Sequence, residues 1–89
     1  MRGSRILPEH RLVKSLRSRR HRALVAVLVG SRKDAGLTQR ELAAKLKRPQ
    51  SFVAATESGE RRLDVVEFFE LAEALGLEPV ALFERVSRW

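Results

Sequence analysis

Apolar side chains recur along this chain at spacings of three and four, and nowhere alternate with polar ones in the period-two manner of a strand. The pattern predicts an all-α chain of five helices. The first runs from about Arg19 to Asp34, with Ser18 as its cap, Leu24, Val27, Leu28 and Ser31 inward, and Gly36 after its end. Thr38-Gln39-Arg40-Glu41 is a capping-box sequence, in which the Thr38 hydroxyl accepts from the Glu41 amide and the Glu41 carboxylate from the Thr38 amide. It opens a second helix, about Gln39 to Leu46, that turns Leu42, Ala43 and Leu46 inward and is broken by Lys47-Arg48-Pro49.

A third helix, about Gln50 to Glu57, stops at Ser58-Gly59. Asp64-Val65-Val66-Glu67 repeats the capping-box logic for a fourth, which ends at Leu75 before Gly76. Pro79 suits the first turn of a fifth helix that reaches about Val86. Phe68, Phe69, Leu71 and Leu75 fall at core or interface spacing. Residues 1–17 stand outside this plan as a basic N-terminal arm, partly helical at best, and residues 18–89 form the domain proper.

Charge adds a direction to this outline. Of 18 basic and 11 acidic residues, eight and one fall in residues 1–22, six and three in 23–59, and four and seven in 60–89, or net +7, +3 and −3. A basic front and a mildly acidic back suit a binder of anions, nucleic acid or a membrane surface. At 89 residues the chain supports one core, and with no cysteine that core is held by packing alone.

The longest apolar run, Ala23–Val29, is seven residues, against the roughly 20 needed to span a bilayer. Although Arg17–Arg22 ahead of it mimics the start of a signal peptide, the run comes late and ends in Arg32-Lys33-Asp34, so a cytoplasmic place is expected. His10 and His21 have no partner at ligand spacing, and no metal or other cofactor is expected. No nucleophile, base and orienting group can be assembled, so no enzyme is expected.

Two short helices about three residues apart, with small Ala43 where the backbones approach, have the form of a helix-turn-helix. In that motif the second helix enters a major groove about 12 Å wide by its N-terminal residues, here Gln50 and Ser51. Gly36-Leu37-Thr38-Gln39-Arg40-Glu41-Leu42-Ala43, Gln50-Ser51-Phe52-Val53, Glu57-Ser58-Gly59-Glu60-Arg61-Arg62 and Leu71-Ala72-Glu73-Ala74-Leu75-Gly76 occur in order and at the right spacing. Together they resemble the lambda repressor-like helix-turn-helix family, often called XRE, over about residues 19–86.

The resemblance implies a five-helix DNA-binding domain with the motif in helices 2 and 3. It implies that Gln50, Ser51 and Ala55 face base edges and that Gln39, Arg61 and Arg62 contact phosphate; the basic residues Arg40, Arg48, Arg19 and Arg20 join the phosphate set by charge. It also pairs Arg32 with Glu57 across the first and third helices. The sequence departs from the family where Ala54 and Ala55 replace polar or basic residues and Thr56 replaces an apolar one. An alanine methyl can still meet a thymine methyl.

The expected function is a sequence-specific regulator of transcription on double-stranded DNA, a repressor that occludes a promoter in a bacterial or phage-encoded, nucleoid-associated setting. A homodimer is expected, with Val80, Leu82, Phe83, Val86 and Trp89 at its interface, because two-fold symmetry doubles the bases read. Two alternatives carry different partners. One is an antitoxin that binds a toxin and represses its own operon, and the other is a protein-interaction module that has lost base reading.

Overall fold

The computed structural model describes residues 9–88, with side chains from Arg19 onward. These form five helices: α1 (Glu9–Asp34), α2 (Gln39–Leu46), α3 (Gln50–Ser58), α4 (Val65–Ala74) and α5 (Pro79–Ser87). The four later helices lie within a residue of their expected bounds. The first does not, because α1 begins at Glu9 and the expected cap, Ser18, lies inside it. Serine is a good cap only where a helix has reason to start, and the sequence between Pro8 and Gly30 holds neither Pro nor Gly to interrupt one. Residues 1–8, and with them part of the expected basic arm, lie outside the described residues, as does Trp89.

Helix starts follow local chemistry. Thr38 Oγ1 accepts from the Glu41 amide at 3.0 Å while Glu41 Oε1 accepts from the Thr38 amide at 2.8 Å. At α4, Asp64 Oδ1 accepts from the Glu67 amide at 2.7 Å and Glu67 Oε1 from the Asp64 amide at 3.0 Å. Both boxes occupy backbone donors that the first helical turn leaves without partners.

The turn between α2 and α3 has a different origin. Lys47 takes a left-handed conformation at φ 59°, and the Lys47 and Arg48 amides donate to the Ala44 and Ala43 carbonyls at 3.1 and 3.0 Å. Glycine more often ends a helix in this way, since a Cβ is strained there. Gly59 fills the equivalent place after α3 at φ +86°.

Burial then selects the facing sides. Leu28 from α1, Leu42 and Ala43 from α2, Phe52 and Val53 from α3, Leu71, Ala72 and Leu75 around α4 and Leu82 from α5 form one core. α3 packs on both α1 and α2, α4 on α2 and α5, and α5 returns to α1. There Arg85 Nη1 reaches Ser31 Oγ at 3.3 Å, and Phe68 meets Phe83 edge to face with ring centroids 6.2 Å apart. Thr56, standing where the resembling family has an apolar residue, is buried, and its hydroxyl donates to the Phe52 carbonyl at 2.8 Å. Leu82 and Val86, expected at a subunit interface, are buried in their own domain because four residues bring both to the inner face of α5. Val80 and Phe83 point outward. No described helix is long and apolar enough to cross a membrane.

Glu67 does two jobs at the start of α4. Besides closing the capping box, its carboxylate takes a forked pair of hydrogen bonds from Arg61, at 2.8 and 2.7 Å, and is almost wholly buried. The Arg61 guanidinium first, and then the Asp64 amide, hold its pKa down at about 2 from an ordinary 4.5.

Because the folded state keeps the Glu67 proton off to lower pH than the unfolded chain does, its stabilisation is fully present above pH 4.5 and is lost as pH falls toward 2. Acid titration of folding stability should therefore show a smaller loss over that window in Glu67→Gln than in the natural chain, and parallel curves would contradict it. Lys47→Gly should raise stability by up to about 1 kcal/mol by removing the left-handed strain, as read from denaturant midpoints at unchanged slope; a lower midpoint would contradict that account.

Candidate nucleic-acid interface

The N-terminal turn of α3 is built to be presented. Pro49 precedes it in an extended conformation and gives no side-chain cap, so the first amides of the helix keep donors free for an anion. Gln50 and Ser51 on this turn are exposed, and Ala55, one turn on, is half-buried. The opposite side of the helix carries the buried Phe52, Val53 and Thr56. The family resemblance sets Gln50, Ser51 and Ala55 toward base edges; the structure leaves the first two exposed and Ala55 half-buried on the side of α3 away from Phe52, Val53 and Thr56.

Behind that face lies a chain of polar contacts. Arg32 donates Nε and Nη2 to the two Glu57 carboxylate oxygens at 2.7 and 3.0 Å, and Nη1 to the Leu37 carbonyl at 2.7 Å. Only 11% of the Arg32 side chain and 8% of that of Glu57 are exposed. The hydrogen bond to Glu57 raises the pKa of the guanidinium above its ordinary value. Glu57 Oε1 also accepts from Gln39 Nε2 at 2.9 Å, and Gln39 Oε1 lies 3.5 Å from Gln50 Nε2, at the limit of a hydrogen bond. The pair expected between Arg32 and Glu57 thus continues through Gln39 to Gln50. Gln39, expected as a free phosphate ligand, has one amide hydrogen committed to Glu57 and the other available.

The arginines divide into two groups. Arg40, Arg19 and Arg20 are exposed, on α2 and α1 respectively, and Arg62 is exposed after α3. Arg20 and Arg62 also line an open apolar groove of about 580 Å³ with Leu24, Phe68, Val80 and Phe83.

Arg48 and Arg61 are placed otherwise than as free phosphate ligands. Their guanidinium carbons lie 4.5 and 4.6 Å from the centre of the Phe52 ring. Arg61 is held by the fork to Glu67 and donates to the Arg62 carbonyl at 2.9 Å. Arg48 approaches Glu67 at 3.6 Å and Glu70 at 3.3 Å. Hydrogen bonding to Glu67 raises the Arg61 pKa. Sequence reasoning missed this cluster. Its elements were visible as two arginines flanking a helix with an aromatic third residue, but Glu67 already had a sufficient explanation as a capping residue.

No group of three or more acidic, histidine or cysteine side chains able to hold a metal occurs among the described residues. The arrangement offers hydrogen-bond donors and acceptors on a projecting helix end, with cations around it. Its chemistry is that of recognition.

Comparison with known proteins agrees with this geometry. A helix-turn-helix family model matches residues 31–82. The chain is 40% identical over 60 residues to an uncharacterized HTH-type transcriptional regulator, y4dJ, of Sinorhizobium fredii, covering 62% of this chain and 78% of that one. Among solved structures, an XRE-family like protein from Pseudomonas syringae pv. tomato is 45% identical, with a TM-score of 0.82 over 86% of this chain and 94% of the other. The clp gene regulator ClgR from C. glutamicum superposes with a TM-score of 0.70 at 25% identity, covering 78% of this chain and 90% of its own. The match to the family model over more than half the chain, with these relatives, shows that it belongs to the XRE family of helix-turn-helix DNA-binding transcriptional regulators.

Proposed function

We propose that the chain is a sequence-specific, dimeric repressor that binds double-stranded DNA in the bacterial cytoplasm and occludes a promoter. The observation that carries this reading is the exposed Gln50 and Ser51 pair on the uncapped first turn of α3, tied back through Gln39 and Glu57 to Arg32. A glutamine amide can pair with both hydrogen-bonding groups of an adenine edge, and a rigid mount lowers the entropy lost on binding. Arg40, Arg19 and Arg62 supply exposed charge for phosphates, which gives affinity without sequence information. Repression asks only that the DNA be occupied.

Dimerisation rests on a separate surface. Val65, Val66, Phe69, Val80 and Phe83 are between 47% and 70% exposed, an unusual concentration of large apolar side chains in one small domain. They belong to α4 and α5 or their starts, and Val65, Phe69, Val80 and Phe83 all border the groove beside α1. A second copy covering this face would remove them from water and set two α3 helices on one duplex, with half-sites about one helical turn apart or a multiple of it.

Selection of bound duplexes from a random pool, read by sequencing, tests the first part; recovery of no preferred sequence would overturn sequence-specific binding. On the preferred duplex, Gln50→Ala should cost about 1–3 kcal/mol and almost nothing on random DNA, and equal losses on both would remove Gln50 from the base-reading set. Sedimentation tests the second part. Phe83→Ala and Val80→Lys should shift the protein toward monomer at micromolar concentration, and unchanged association in both would move the dimer contact elsewhere.

A further inference from the structure

We infer that Glu67, which lies on α4 outside the base-reading face, is a positioning residue that gathers Arg48 and Arg61, which flank α3 in the chain, beside Phe52 to grip DNA phosphate there. The inference rests on the DNA-binding reading proposed above. Arg48 stands two residues before α3 and Arg61 three residues after it, so without a common anchor their long side chains would sample separate volumes of solvent. The structure gives them one. Both guanidiniums lie over the Phe52 ring, at 4.5 and 4.6 Å, and both approach the same carboxylate, Arg61 at 2.7 Å and Arg48 at 3.6 Å.

The distribution of exposure gives the cluster an outward sign. The Glu67 side chain is 9% exposed, whereas those of Arg48 and Arg61 are 34% and 38% exposed. The shared Glu67 carboxylate is therefore inside and the two guanidiniums lie outside it, with Glu70, 46% exposed, beside Arg48. Glu67 spends its oxygens on the forked pair with Arg61 and on the Asp64 amide, and exposed Glu70 adds a 3.3 Å contact to Arg48. Each guanidinium has five N–H donors, so these contacts leave donors over on both. Two cations held at fixed places on the rim of α3, by an anion that DNA cannot reach, form a preset phosphate clamp.

A cluster that merely fastened α3 to α4 would have the same contacts, and the salt dependence of DNA binding separates the two. Each phosphate neutralised steepens the fall of log K with log salt by about 0.9. Glu67→Gln, with folding confirmed by circular dichroism, should weaken binding to preferred and random duplexes alike by about tenfold and flatten the salt slope by about 1 to 2. Arg61→Gln added to Glu67→Gln should change the slope little further. Arg48→Gln, at a half-exposed side chain, guards against a Glu67 variant that fails to fold: it should flatten the slope by about 0.9 with little change in melting temperature. An unaltered slope in folded Glu67→Gln, or in Arg48→Gln, would overturn the clamp while leaving DNA binding by the natural chain intact. Failure of the natural chain to bind any duplex would instead overturn the DNA-binding reading, and the clamp with it.

Discussion

The ion pair between Arg32 and Glu57 is the constraint on which the rest of the presenting surface depends. Two charges taken almost wholly out of water gain little net stability, since desolvation offsets their attraction. Their effect is on geometry. The Arg32 guanidinium is satisfied only when α1, the Leu37 carbonyl and the last turn of α3 are all in place. Any slide of α3 along the core leaves a buried carboxylate unpaired, a penalty of roughly 3–5 kcal/mol. The apolar contacts of Phe52 and Val53 would tolerate such a slide far better, because hydrophobic attraction has no preferred direction.

From that fixed point two sides of α3 are held by different chemistry. On one side, Gln39 is bonded to Glu57 and comes within 3.5 Å of the exposed Gln50 amide. On the other, Arg48 and Arg61 close over Phe52 and share the buried Glu67. The helix itself has only nine residues and no side-chain N-cap. A segment so short is marginal alone, so its shape and its direction both come from these neighbours. The same residues that hold it still surround the surface it offers.

Much of this could be read from the chain before any coordinates. Thr38 with Glu41 and Asp64 with Glu67 mark helix starts by chemistry confined to four residues, and Gly59 marks an end the same way, so α2, α3 and α4 were legible. The start of α1 was not, because Ser18 is competent as a cap and nothing local reveals that the helix is already under way. Lys47 in a left-handed turn was hidden for a related reason, since lysine has no preference for that conformation. Leu82 and Val86 were placed with Val80 and Phe83 although their four-residue spacing separates the two pairs onto different faces of α5. The arginine cluster at Phe52 joins residues up to 22 positions apart, Arg48 to Glu70, and no periodicity encodes a contact of that kind. Resemblance to a family supplied the Arg32 and Glu57 pair, which spacing alone would not have done.

Ala55 connects these points to the proposed reading of DNA. It is half-buried and ends in a methyl group, so the outward face of α3 beyond its first turn has no long hydrogen-bonding side chain of its own. Base discrimination by hydrogen bonds then falls on Gln50 and Ser51, with a thymine methyl as the natural partner of Ala55. A reader with so few groups gains more from holding each one still than from adding flexible ones, because every rotamer frozen on binding subtracts from affinity. The tie from Gln50 through Gln39 to a buried ion pair does that for one side chain. Two-fold repetition would do the rest, by placing a second copy of the same small set a helical turn away and adding its free energy without any new kind of contact.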